Sequence, residues 1–144
     1  MLSVSVFFNV TSLPDSIYEY TKDSLEHMVK EGAFPDLIQV GNEIINGMLW
    51  PVAKVDPLGM ENWDLFVKLL ESGAKACREI CPKAKIIIHT EKAGEWNKIK
   101  TYYNHLWQLD YDIIGLSYYS MWHKAVGVLA ATLDSLAIEF PDKE

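Results

Sequence analysis

The chain has little of several things, and each shortage excludes something. It has only two cysteines in 144 residues, Cys77 and Cys81. They are spaced i, i+4 on a predicted helix, which holds their β-carbons about 5 to 6 Å apart. A disulfide needs roughly 3.5 to 4.5 Å, so both are expected to be free thiols. No His or carboxylate cluster accompanies them, so a metal pair is not expected either. Basic residues are outnumbered, 13 against 20 acidic, for a net charge of -7. With no basic stripe to neutralise phosphates, a nucleic-acid partner is excluded. No run approaches the roughly 20 apolar residues of a membrane span. Residues 1–10 alternate apolar positions but carry no basic region and no small-residue cleavage site, which makes a poor signal peptide. There is no low-complexity linker and no Pro/Gly-rich boundary, so one domain is expected. Asn9-Val10-Thr11 fits a glycosylation acceptor, relevant only in a secreted eukaryotic protein.

What is present is an alternation of helical and strand patterns. A helix is predicted from a cap at Asp15 or Ser16 to about Glu31, with Ile17, Thr21, Leu25 and Met28 on one face and Gly32 as its stop. A buried strand, Leu37 to Gly41, follows. After a loop from Ile44 to Met60, a helix from about Asn62 to Ile80 presents Phe66, Leu69, Leu70, Gly73, Cys77 and Ile80, and Pro82 ends it. Lys85 to His89 reads as a strand, Glu95 to Trp107 as a helix with Ile99, Tyr102, Tyr103 and Leu106 inward, and Asp112 to Ser117 as a strand. The last helix, about Ala125 to Phe140, puts Val126, Leu129, Leu133, Leu136 and Phe140 on its inner face. Trp63, Trp96 and Trp107 fall on helices and are expected in the core. Short apolar strands separated by helices imply right-handed βαβ units and a parallel sheet.

The most informative stretch is Leu37 to Pro51, LIQVGNEIINGMLWP. Its strand breaks at Gly41 directly into Asn42-Glu43. In a parallel β/α barrel the chemistry sits at the C-terminal ends of strands, so a carboxylate there is a catalytic candidate, although a turn and a solvated helix start read the same way. Gln39-Val40-Gly41-Asn42-Glu43 followed by Asn46-Gly47-Met48-Leu49-Trp50-Pro51 resembles the fourth-strand signature of the endo-β-1,4-galactanases of glycoside hydrolase family 53. Lys85 to Thr90 (KIIIHT) resembles that family's fifth strand, and Tyr111 to His123 (YDIIGLSYYSMWH) its sixth. The resemblance runs from about Tyr18 to the C-terminus.

The resemblance implies an α/β fold, a fragment of a (β/α)8 TIM barrel carrying parallel strands four, five and six with flanking helices. A complete barrel typically needs about 250 residues, so residues 1–144 read as a single partial catalytic domain. Residues 1–11 depart from the family, and strands one to three, seven and eight are expected to be absent. The implied activity is endo-hydrolysis of β-1,4-galactosidic linkages in arabinogalactan, the galactan side chains of pectin, by a retaining double displacement. A neutral polysaccharide suits the acidic chain, and the family implies a secreted, extracellular location.

The resemblance also assigns roles. A retaining glycosidase holds two carboxyl groups about 5 to 5.5 Å apart, one protonating the leaving oxygen and one attacking the anomeric carbon. Glu43 is the implied general acid/base, and Asn42 is implied to hydrogen-bond the sugar 2-hydroxyl. His89 closes the fifth strand as a pocket residue. Glu91, implied to line a sugar subsite, follows where family members commonly carry Asp. Alternation points Ser117 and Tyr119 to one side of the sixth strand and Tyr118 to the other. Tyr119 is the candidate to orient the nucleophile, and Ser120 and Lys124 replace the family's Pro and Gly beyond it. Trp50 and Trp122 can stack on pyranose faces or simply cover the barrel rim; packing is expected for Tyr118.

The nucleophile of the family is a glutamate ending the seventh strand, and it is expected to be missing from this chain. Glu139 and Glu144 fall in the last helix and the following turn rather than atop a strand. No cofactor and no metal are expected, since the calcium of some bacterial members would lie in a later loop. The inner faces of the three strands, with Ile38, Val40, Ile86, Ile88 and Ile114 among their apolar residues, are expected to lack the opposite barrel wall. The chain alone is therefore expected to be inactive. Two other readings stand beside the galactanase: another retaining barrel glycosidase of cellulase or mannanase type, or a non-catalytic truncated carbohydrate-binding product.

Overall fold

The computed structural model describes residues 12–123 and 125–144. The Asn9-Val10-Thr11 acceptor, the departure over residues 1–11 and the substitution at Lys124 lie outside these. Helix α1 spans Leu13–Lys30, with Pro14 in its first turn, where a proline lacks only an N–H the helix does not use. Neither Asp15 nor Ser16 caps it. The Ser16 hydroxyl donates instead to the Ser12 carbonyl one turn back. Gly32 ends the helix at φ +84°, the left-handed conformation that glycine adopts without steric cost.

Strand β1 (Leu37–Gln39) follows, then a two-stranded antiparallel hairpin of β2 (Gly47–Met48) and β3 (Ala53–Lys54) inside what the sequence reads as a loop. Gly47 makes the hairpin possible. At φ +82°, a β-carbon there would lie 2.1 Å from the Ala53 carbonyl oxygen. Helix α2 (Trp63–Ile80), strand β4 (Lys85–Thr90), helix α3 (Trp96–His105), strand β5 (Ile113–Leu116) and helix α4 (Val126–Glu139) complete the order. The expected βαβ units are present: β1, β4 and β5 form a parallel sheet in that spatial order.

The register decides which residues face the helices. Ile38 pairs with Ile86, and Ile88 with Ile114; paired residues in a parallel ladder share a face. Ile86 and Ile88 are fully buried in the core cluster with Phe66, Leu69, Leu70, Ile99, Tyr102 and Tyr103. Val40 meets Gly73 of α2, whose missing side chain also admits Ile17 and Thr21 of α1. The five apolar residues expected on the inner face therefore face outward, toward the helices. The opposite face carries Gln39, Ile87, His89 and Gly115, in agreement with the one-residue alternation of strands.

Three further expectations are corrected. β1 is half exposed rather than buried, with Leu37 55% exposed, because it is the edge of the described sheet. Trp107 lies past the end of α3 and is 77% exposed, whereas Trp63 is buried. On α4, Leu136 and Thr132 are buried while Val126 and Leu133 are exposed. That helix is apolar on nearly every side, so periodicity alone does not mark its buried face.

Candidate active site

The site grows from the way the chain leaves β1. The ladder extends one residue beyond the strand, with the Val40 N–H donating to the Ile87 carbonyl at 3.0 Å. Gly41 then turns at φ +84°, and Glu43 itself adopts φ +50°. A non-glycine residue in this region costs on the order of 1–3 kcal/mol and persists only where its surroundings over-determine it. Two hydrogen bonds to His89 do so. The Glu43 N–H donates to His89 Nδ1 at 3.2 Å, and the Ile44 N–H donates to the His89 carbonyl at 3.2 Å.

His89 is at the C-terminal end of β4, on its inner face. Because Nδ1 accepts from an amide, the ring carries its proton on Nε2, which lies 3.1 Å from Ser117 Oγ and donates to it. Gly115, opposite His89 in the register, leaves the space: a β-carbon there would be 2.9 Å from Ile87 and 3.1 Å from the His89 ring. Ser117 is fixed in turn by its N–H, which donates to the Thr90 carbonyl at 2.8 Å. A continuous chain therefore links the end of β5 through His89 to the backbone of Glu43. The sequence pattern places Ser117 on the same side as Tyr119, but its bond to His89 depends on a register that only the sheet sets.

Tyr119 reaches the same carboxyl from the other side. Its hydroxyl lies 3.5 Å from Glu43 Oε1, the outer limit of a hydrogen bond. The loop that carries it is anchored by His123, buried, whose Nδ1 accepts the Tyr119 N–H at 3.1 Å and whose ring packs against Tyr118 and Tyr119. Asn42 is exposed beside Glu43, and its Oδ1 accepts from the Gln39 side chain at 3.1 Å. Trp50 is largely exposed in the hairpin, its indole N–H donating to the Asn46 carbonyl and the Lys54 ammonium lying 4.5 Å from its ring. Trp122 is 79% exposed.

Glu91 directly follows the end of β4. Its Oε2 is buried without a hydrogen-bond partner, as is the hydroxyl of Tyr102. Burial, then the charges of Tyr103 and Glu91, push the Tyr102 phenol far up. Among the described residues no group of three or more His, Cys, Asp or Glu side chains is placed to hold a metal ion.

Glu144 is at the opposite end of the sheet. Its backbone N–H donates to the Asp112 carbonyl at 3.0 Å and its carbonyl accepts from Ile114 at 2.9 Å. Far from being in a turn, it pairs along the outer edge of β5 as a parallel strand does, near the N-terminal end of that strand. Its carboxylate contacts the Lys85 ammonium.

Parallel strands wrapped by helices, with a carboxyl at the C-terminal end of one strand held by residues at the ends of the next two, define a fragment of a TIM barrel. The model of glycosyl hydrolase family 53 matches residues 6–143, and the chain belongs to that family. It is 35% identical over 130 residues to a protein of Niallia circulans described by its position in the bgaB 5' region, covering 87% of this chain and 36% of that one. It is 32% identical over 136 residues to a probable arabinogalactan endo-beta-1,4-galactanase A of Aspergillus flavus, covering 89% and 36%. The solved Ignisphaera aggregans GH53 catalytic domain superposes with a TM-score of 0.87 at 28% identity, covering 96% of this chain and 37% of that one. The chain thus spans just over a third of the length of these relatives.

Proposed function

We propose that this chain carries the acid/base half of the active site of a retaining endo-β-1,4-galactanase. The observation that carries the reading is Glu43, held at a strand end in a left-handed backbone conformation by its N–H bond to His89, with the Tyr119 hydroxyl toward its carboxyl. Family membership and the galactanase names of several relatives support the substrate class. In the proposed cycle Glu43 protonates the leaving glycosidic oxygen, then takes a proton from the water that opens the glycosyl-enzyme intermediate. Asn42 bonds the sugar 2-hydroxyl in a contact that strengthens in the transition state. The attacking carboxylate of this cycle is the glutamate that ends the family's seventh strand. Trp50 and Trp122 offer rings for pyranose stacking. A polymer substrate is met outside the cell, the location the family resemblance implies.

In the complete enzyme, Glu43→Gln is expected to lower turnover of polymeric galactan by about 10²- to 10⁴-fold. Aryl galactosides with good leaving groups are expected to lose much less in glycosylation, because they need little protonation. Near-normal release of reducing sugar from galactan by Glu43→Gln would remove Glu43 from the role. Faster hydrolysis of mannan or cellulose than of galactan would move the protein to another specificity.

A further inference from the structure

The other concentration of aromatic and hydrogen-bonding groups lies on the outside of the barrel, between the first turns of α2 and the end of α3. A groove of about 510 Å³ there is lined by Trp63, His105 and Trp107 together with polar side chains of both helices. That volume falls within the range of about 300–1,000 Å³ typical of ligand clefts. Its back wall is rigid. The Trp63 and His105 rings stack at 3.9 Å with 10° between planes, and Trp63 also packs edge-on against Phe66 and Tyr102. Burial holds His105 below the usual histidine range.

Two features identify the chemistry of an occupant. Trp107 keeps an indole open to water at the rim, a flat apolar surface with a polar edge. The remaining rim carries the amides of Asn104 and Gln108 and the carboxylates of Asp64 and Glu71, with Lys68 as the basic member. Mixed charge with an acidic excess disfavours an anion, and so polar a lining disfavours an apolar helix. Amides and carboxylates beside an exposed aromatic plane match a neutral ligand with apolar faces and hydroxyl edges. The walls come from α2 and from α3 with the turn that follows it, elements consecutive among the helices, so the groove is formed by described residues alone.

We propose that this groove, whose lining shares no residue with the Glu43 site, is a second carbohydrate-binding site that holds a galactan chain against Trp107. The proposal rests on the galactan reading of the active site for its ligand. The test uses the complete enzyme carrying Glu43→Gln, so that the polymer survives, with and without Trp107→Ala, run by affinity electrophoresis through gels containing β-1,4-galactan or dextran. Trp107→Ala is expected to weaken galactan retardation at least about threefold, the scale of one aromatic contact. With Glu43 restored, it is expected to leave kcat/KM on a short soluble galacto-oligosaccharide unchanged. The double variant Asn104→Ala, Gln108→Ala reports the same site without touching the indole, and thermal midpoints check that each variant is folded. Galactan retardation unchanged in both folded variants overturns the groove alone if the active enzyme still cleaves galactan. Retardation equal in dextran overturns its selectivity for this carbohydrate. A parent enzyme that neither cleaves nor is retarded by galactan overturns the substrate reading as well.

Discussion

At the residue scale, Glu43 depends on neighbours that are far from it in sequence. Its backbone conformation is unfavourable by itself and is held by His89, 46 residues later, which is oriented in turn by Ser117. Ser117→Ala removes one hydrogen bond, worth about 1 kcal/mol. In the complete enzyme kcat is expected to fall about fivefold with KM little moved, because the loss acts through the placement of Glu43. A change confined to KM would show instead that Ser117 contacts substrate. Asn42-Glu43 and His89 are legible as candidates from their positions at strand ends and from the family motif. The bond between His89 and Glu43 is not, because sequence spacing carries no information on which ring nitrogen faces which amide. Trp107 was expected in the core; helical periodicity continues past the point where α3 ends, and the indole is left in water.

At the element scale, two features hold the sheet and its hairpin. Gly47→Ala is expected to destabilise the protein by about 2 kcal/mol or more, since a methyl group would meet a backbone carbonyl at a left-handed φ. The readout is the thermal midpoint, and an unchanged value would mean that the hairpin rebuilds. At the N-terminal ends of β4 and β5, Arg78 of α2 donates to Asp110, Asp112 and the Ala84 carbonyl, and Asp112 also accepts the Ile86 N–H. Arg78→Ala is expected to cost about 2 kcal/mol, the scale of charge-assisted bonds left unmade. The hydrogen bond from Arg78, aided by its charge, holds the Asp110 carboxyl below its usual range. A depressed carboxyl stabilises the fold above its unfolded value, about 3.9, and that stability is lost as pH falls through the folded value. Asp110→Asn should therefore melt below the parent at neutral pH, with the gap closing below about pH 4. Asp110 is largely exposed, so the gap should stay under about 1 kcal/mol; a gap constant across that range would assign the loss to packing.

At the scale of the whole molecule, the described sheet is open. Among the described residues β1 has no strand on its outer edge, where Leu37 is exposed, and α4 leaves Val126, Leu133 and Ile138 in water. Exposed parallel edges beside apolar surface favour association, so residues 1–144 expressed alone are expected to sediment as oligomers or aggregates and to release no sugar from galactan. A stable monomer whose turnover is abolished by Glu43→Ala would overturn the expectation. Glu144 blunts part of the other edge by pairing beside β5. The order of the helices and the parallel strands, and the family, were readable in the chain, because period-2 and period-3.6 patterns and short motifs are local properties; the β2–β3 hairpin is too short to show such a pattern and reads as a loop. Which face of each strand meets the helices was not: Ile38, Val40, Ile86, Ile88 and Ile114 are apolar whichever side they take. Only the paired register, with α2 and α3 packed over one face, turned those five outward and left Gln39, His89 and Ser117 on the inner side beside Glu43, because burial is a property of what the rest of the chain places against a residue.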